Sequence, residues 1–313
     1  MASNAIIIGT LAPWLRPLWA VAVGAMAALL VLWALSRLLR LAAPKVSAIA
    51  RTTTKEGLTQ PLFYLLAGLG ILLLLVFPFI PYNTFGEDVK VLKDEGMTLI
   101  MLLGIVLALW TASVSVAEEI EGRTALTVLS KPIGRRQFIV GKFLGILGPV
   151  AILFVVLGAV FLATVSYKVS YDARETSNPD PTWHDCALEM EKTAPGLALA
   201  FMETVVLTSI SVAISTRLPM LPNLIICAAI YVLGHVVPML LSSAMGQFEI
   251  VAFVARLFST VLPVLDDFNV QAAISTGQKV PLAYLAWDAV YCAVYSTVAM
   301  LVALLLFEDR DLA

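Results

Sequence analysis

Glu118-Glu119-Ile120-Glu121-Gly122-Arg123-Thr124-Ala125-Leu126-Thr127-Val128-Leu129-Ser130-Lys131-Pro132-Ile133-Gly134-Arg135-Arg136-Gln137-Phe138-Ile139-Val140-Gly141-Lys142 joins two apolar runs, 97–117 and 141–166. Each run reaches the length of about 20 residues that a bilayer span requires. The link between them has a definite grammar. An acidic cluster ends the first span, a short apolar helix of about two turns follows Gly122, Pro132 and Gly134 break it, and Arg135 and Arg136 precede the next span. Ala125, Leu126, Val128 and Leu129 cannot all bury themselves inside so short a connection, so they call for a partner surface. A plain tight hairpin obeying the positive-inside rule accounts for Arg135 and Arg136 but not for the Glu-rich start or the apolar helix.

Working outward, the same reading finds apolar segments at 18–36, 62–81, 196–216, 222–245 and 282–307, which makes seven candidate spans. Composition agrees. The 313 residues are 60% hydrophobic and 13% charged, with mean hydropathy +0.93, too few polar residues to coat a water-facing globule. The chain reads as an all-α integral membrane protein. The longest polar interruptions, about 30 to 40 residues, are shorter than a domain usually needs, which excludes a soluble catalytic domain. A net charge of −2 excludes nucleic-acid binding as the main activity. Cys186 lies in a polar stretch and Cys227 and Cys292 in apolar runs, so neither a disulfide framework nor a paired-cysteine metal site can be drawn.

The first apolar run lacks a signal peptide's basic start: only Arg16 precedes it, while Arg37 and Arg40 follow. It reads as a retained span with its N-terminus outside and the C-terminus cytoplasmic. The predicted cytoplasmic side then holds Arg37, Arg40, Lys45, Arg51, Lys55, Arg123, Lys131, Arg135, Arg136, Lys142, Arg217 and Arg310, 12 of the 20 basic residues. Asp172, Glu175, Asp180, Asp185, Glu189 and Glu191 crowd one exterior connection, expected to be a solvated loop.

Two other connections invite a role. In 44–60, Val46, Ile49 and Thr53 fall at helical spacing among basic residues, which suits either an interfacial helix along the inner headgroups or an ordinary basic linker. In 246–281, Ile250, Val251, Phe253, Val254, Leu257, Phe258 and Val261 form an apolar stripe of about 13 residues, too short to span. It suits a re-entrant or interfacial hairpin at the outer surface, capping a pathway or resting passively on the membrane.

Catalytic signatures are missing. Gly134 and Gly141-Lys142 have six residues between them rather than four and are followed by Phe143, so they do not make a phosphate-binding loop. His184 and His235 are the only histidines, too few for a catalytic or metal-binding cluster, and His184-Asp185-Cys186 reads as either a loop or an exterior metal contact. Glu203 and Asp288 are the carboxylates placed well inside apolar sequence, about 10 Å and 9 Å from the outer ends of the expected helices. Thr204, Thr208, Ser211 and Ser215 run down the helix face near Glu203, and Tyr291, Cys292 and Tyr295 share the face of Asp288. These stripes suit a translocation path or helix-to-helix hydrogen bonding equally. His235 is expected near mid-membrane as a neutral, packed imidazole, without a carboxylate at its depth to relay a proton.

The run from Glu118 to Gly145 resembles the cytoplasmic loop of the type-2 permeases of ATP-binding-cassette transporters, in which an acidic, Gly-Thr, Leu-Ser-Lys-Pro, Arg, Phe, Gly-Lys pattern recurs. Ile49-Ala50-Arg51 through Gln60-Pro61-Leu62-Phe63 is similar to that family's elbow helix entering its first core span. Leu262-Pro263-Val264-Leu265-Asp266-Asp267-Phe268-Asn269 resembles its outer loop before the last helix, and Phe307-Glu308-Asp309-Arg310-Asp311-Leu312 its ending. The resemblance implies six core helices within 62–307, a permease domain over 44–313, and an extra N-terminal transmembrane helix within 1–43.

It also implies a homodimer or heterodimer of permeases in the lipid of a prokaryotic inner membrane, with ATP and magnesium held by separate P-loop ATPase subunits and no cofactor bound by this chain. The coupling helix would lie in 118–135. Glu118, Glu119, Glu121, Gly122, Arg123, Thr124, Leu126, Leu129, Lys131, Pro132, Arg135 and Arg136 would carry the coupling, and Glu203, Thr204, Thr208, Ser211, Asp288, Tyr291 and Tyr295 are candidates for the pathway. An ATP-driven exporter subunit is the leading expectation. An ion-coupled secondary transporter, motivated by Glu203 and Asp288, and a membrane scaffold that moves nothing are the alternatives.

Overall fold

The computed structural model describes residues 12–80, 88–119, 134–175, 181–242, 248–270, 273–274 and 277–308. In chain order the helices are α1 (Leu18–Ala42), α2 (Pro44–Thr59), α3 (Pro61–Val76), α4 (Asp88–Ala112), α5 (Arg135–Glu175), α6 (Trp183–Ser215), α7 (Met220–Ser242), α8 (Glu249–Val261) and α9 (Leu282–Glu308). A π turn, Ser113–Glu118, continues α4, and short 3₁₀ turns follow at Phe77–Phe79 and Asp266–Phe268. The described residues contain seven helices long and apolar enough to cross a membrane, and no strand. The fold is therefore an all-α integral membrane bundle.

α4, α5 and α6 form its centre. Leu107, Leu153, Leu157, Phe161, Leu199 and Val206 belong to one continuous buried cluster there, while a second cluster joins Ile49, Val116, Phe138, Ile146, Val212, Ala303 and Phe307 at the end where α5 begins. α1, by contrast, buries no residue: Trp19, Leu30, Leu38 and Leu41 are exposed apolar side chains. It leans on α5 across a groove of about 560 Å³ lined by small residues including Gly24, Ala28, Gly158 and Ala159. Trp14 fastens its start, packing edge-on against Tyr167 and accepting a hydrogen bond from Ser166 Oγ at 2.9 Å.

The basic linker is a helix. Pro44 opens α2 at a position where no amide donor is needed, and Val46, Ile49, Ala50, Thr53 and Gly57 repeat at the spacing that makes one buried face. That face is occupied by α5, not left for a headgroup layer. The approach is close because α5 offers glycines there: a Cβ on Gly145 would stand 2.8 Å from the Ala50 carbonyl oxygen, and one on Gly141 2.8 Å from Ile49 Cβ. Thr54 Oγ1 adds a hydrogen bond to Gly145 O at 2.9 Å. Arg51, Lys55 and Glu56 point away and are exposed.

The acidic connection is largely helical too, which corrects the expectation of a solvated loop. α5 runs on to Glu175 and α6 begins at Trp183, so at 1.5 Å per residue α5 is about 60 Å long, twice a hydrocarbon core. Several charged residues at this end have partners inside the bundle. Lys168, 1% exposed, pairs with Asp88 at 3.1 Å and donates to Pro78 O at 3.3 Å, and Lys93, also 1% exposed, pairs with Glu189. Asp185 closes a capping box with Thr182, and Cys186 is buried against Ser170, so His184-Asp185-Cys186 is helix-start architecture. Among the described residues no group of histidines, cysteines and carboxylates could hold a metal ion.

Between α7 and α9 the chain forms a hairpin. Ile250, Phe253, Leu257 and Val261 face away from the protein on α8, as a re-entrant or interfacial helix requires, while Leu265, Phe268 and Ile274 on the return strand of chain enter the core.

Candidate functional site

The loop that carries the resemblance is described only at its stems. Residues 120–133, with Glu121, Gly122, Arg123, Thr124, Leu126, Leu129, Lys131 and Pro132, lie outside the described residues, as do 309–313; Glu118 closes the π turn. Of the expected coupling residues, Glu119, Arg135 and Arg136 are placed. Glu119 Oε1 accepts from Lys142 Nζ at 2.6 Å, tying the end of α4 to the second turn of α5. Arg135 reaches the C-terminus of α9, donating from Nη1 to Glu308 O at 2.8 Å and Phe307 O at 3.4 Å, with its guanidinium 5.8 Å from the Phe307 ring centroid. A cation there satisfies orphan carbonyls and complements the helix dipole. Phe138 stacks on Phe307, with centroids 5.8 Å apart and planes 20° from parallel. Arg136 pairs with Glu308 at 3.5 Å, but its side chain is 77% exposed. Both stems of the loop are thus clamped to rigid elements, to α5 through Glu119 and to α9 through Arg135.

The hydroxyl stripe on α6 has local work. Thr204 and Thr208 donate to the carbonyls of Ala200 and Thr204 one turn back, at 2.9 and 2.6 Å. Ser211 bonds between helices: Asn223 Nδ2 of α7 lies 2.8 Å from Ser113 Oγ, 2.9 Å from Ser211 Oγ and 2.9 Å from Ser215 Oγ, and its Oδ1 accepts from Cys227 at 3.3 Å. Asn223, fully buried, knots α6, α7 and the π turn together. Nothing in its sequence surroundings singled it out, although a lone amide entering an apolar run near serines is such a signal.

On α9, Tyr291 and Tyr295 hold the hairpin. Tyr291 Oη accepts from Val264 N at 3.0 Å, Tyr295 Oη donates to Val261 O at 3.3 Å, and Tyr284 Oη donates to Asp267 O. Asp288 is buried nearby with Oδ2 unpartnered. In the hairpin turn, burial first and the Asp266 carboxylate second push Asp267 above the usual carboxylate range.

The helix of Glu203 begins at Trp183 rather than near 196, which puts Glu203 about 30 Å along it from that end, whereas Asp288 is about 9 Å from the start of α9. His235 of α7 faces it, Nε2 standing 3.5 Å from Glu203 Oε1, which corrects the reading that no carboxylate shares the depth of His235. The two residues line a chamber of about 210 Å³ with Thr98, Met101, Tyr231 and Phe268, roofed by Asn269 and Val270 of the hairpin.

No curated protein matches the chain. A family model described as ABC-2 family transporter protein matches residues 79–312, from the 3₁₀ turn after α3 through the clamped loop, the chamber and the whole of α9. That match spans most of the chain and contains both stems of the loop, and the chain belongs to the ABC-2 transporter family as a membrane permease.

Proposed function

We propose that this permease is the membrane half of an ATP-driven exporter. ATP and magnesium are bound by a separate P-loop ATPase, which docks on the loop between α4 and α5. The observation that carries this reading is the double clamp on that loop. A push on residues 120–133 is delivered through Glu119 into α4 and α5 and through Arg135 into α9, three helices of the bundle, instead of being lost in a slack connection. ATPase closure then biases the permease between two packings by its differential affinity for them. The end of the bundle with Arg135, Arg136, Lys142 and the exposed Arg51 and Lys55 of α2 is the cytoplasmic one by the positive-inside rule, in a prokaryotic inner membrane with the N-terminus outside. Two permease copies, identical or paired with a second type, form the path; residues 1–43 are an accessory helix on the 44–313 permease domain.

The experiment is capture of the tagged protein in mild detergent with its ATPase partner, with and without residues 124–130. The expected result is a co-purifying P-loop ATPase that is released by the deletion while the permease stays monodisperse. ATP hydrolysis by the purified chain alone would overturn the subunit assignment. The Glu203–His235 juxtaposition favours one second reading, an ion-coupled transporter, which requires transport to collapse when the ion gradient is dissipated with ATP intact.

A further inference from the structure

The chamber beneath the hairpin contains a carboxylate that the bundle does not satisfy. Glu203 is 1% exposed and its Oε1 has no hydrogen-bond partner, although it lines a cavity of about 210 Å³. A bare carboxylate at such a position is strongly disfavoured without a counter-charge. His235 does not supply an ordinary hydrogen bond at 3.5 Å. Its Nδ1 stands 3.0 Å from the Tyr231 carbonyl, which in the neutral ring places the proton on Nδ1 and leaves Nε2 as a lone pair. Glu203 Oε1 and His235 Nε2 are then two acceptors turned to one space, an arrangement satisfied by a single positively charged donor.

The walls narrow the chemistry. Tyr231 and Phe268 line the chamber with aromatic side chains and Met101 and Val270 are apolar, while Thr98 and Asn269 keep part of the wall polar, so the chamber suits a cation that carries a hydrocarbon body. A divalent metal would need a further ligand set, and among the described residues no group of three acidic, histidine or cysteine side chains is placed to hold one. One carboxylate balances one charge.

We propose that this chamber binds the ammonium group of a primary alkylamine, held by Glu203 and His235 with its carbon chain against Tyr231, Met101 and Phe268. Taken with the permease reading, on which this step rests, it names the cargo class: a molecule carrying one protonated amine. The test uses the full chain in nanodiscs without ATPase, titrated with hexylammonium and with hexanol, its neutral counterpart, by calorimetry. Saturable hexylammonium binding is expected, with hexanol at least about tenfold weaker and with Glu203→Gln weakening hexylammonium by about tenfold or more. Ala200→Leu, which fills the chamber without removing the charge, is expected to abolish binding, and it carries the test if Glu203→Gln does not fold. Equal binding of hexanol, retention of wild-type affinity by both variants, or no saturable binding to the wild-type protein would overturn the proposal. Each of those results leaves capture of the ATPase through residues 124–130 untouched, and loss of that capture leaves the titration untouched, so the two readings fail separately.

Discussion

The two ends of α5 handle charge in opposite ways. At the Arg135 end, Arg135 and Arg136 stay near the rim, where they meet the terminus of α9, and Lys142, two turns further in, is buried against a Glu119 carboxylate that keeps part of its exposure. At the far end Lys168, and Lys93 on α4 beside it, are withdrawn almost completely from solvent and each is held by a carboxylate. A rim charge keeps its hydration and contributes little to stability, whereas a buried pair, once folded in, cannot lose one member cheaply. The first end is therefore free to serve a partner, and the second is committed to holding long helices together beyond the apolar span.

The sharpest way to break this contrast is Asp88→Asn, which leaves the Lys168 ammonium buried against an amide and the Pro78 carbonyl. A loss of about 3–5 kcal/mol is expected, read as a large fall in the thermal midpoint in detergent. The Asp88→Leu/Lys168→Met double variant should regain most of it. A double variant as unstable as the single would show that the ionic pair itself, and not the avoidance of a lone buried charge, holds this end.

Next in size is the seam between α2 and α5. Gly145→Ala puts a Cβ 2.8 Å from a backbone oxygen that a rotamer change cannot move, so the elbow helix must shift, at about 1–3 kcal/mol. Gly68→Ala on α3, where a Cβ meets nothing within 4 Å, should leave the midpoint unchanged or raised. Equal effects at the two glycines would mean that helix propensity, not close approach, governs this part of the bundle.

A smaller effect is expected at the clamp. Glu119→Gln leaves Lys142, 5% exposed, without its charged partner, but the carboxylate that is lost is 27% exposed and screened, so the cost, about 1–2 kcal/mol, falls below that of the Asp88–Lys168 pair. The charge swap Glu119→Lys/Lys142→Glu should restore that stability. If the clamp transmits motion, the swap also restores ATP-driven transport measured in reconstituted vesicles; restored stability with transport still uncoupled would assign Glu119 to the docking surface instead.

These differences explain what could be read from the sequence. The seven spans were legible because an apolar run is a local property, and the helical face of 44–60 was legible because Val46, Ile49 and Thr53 repeat within it. The lengths of α5 and α6 were not, since Lys168 and Glu189 look solvated until the partners, Asp88 and Lys93, are brought from some 80 and 96 residues away. The same holds for Glu203 and His235, which lie on different helices. Each reads as an isolated polar residue in its own window, and only packing makes them a pair. Tyr291 and Tyr295 were found as a face of α9, but which partner the face meets depends on the hairpin.

The smallest predicted effect tests the rim most directly. Arg136 and Glu308 face each other at 3.5 Å with side chains 77% and 45% exposed, so solvent screens the attraction and two long side chains lose freedom in making it. Arg136→Ala should move the thermal midpoint by no more than corresponds to about 0.5 kcal/mol. Its neighbour Arg135 is anchored on the carbonyls of Phe307 and Glu308 and differs in kind, since removing it exposes a helix terminus as well as a charge. A substitution at Arg136 that leaves stability intact but weakens capture of the ATPase would place this arginine on the docking surface. An unchanged midpoint with unchanged capture would reduce it to a topology signal, and the clamp of Glu119 and Arg135 would then be the whole contribution of the described stems to coupling.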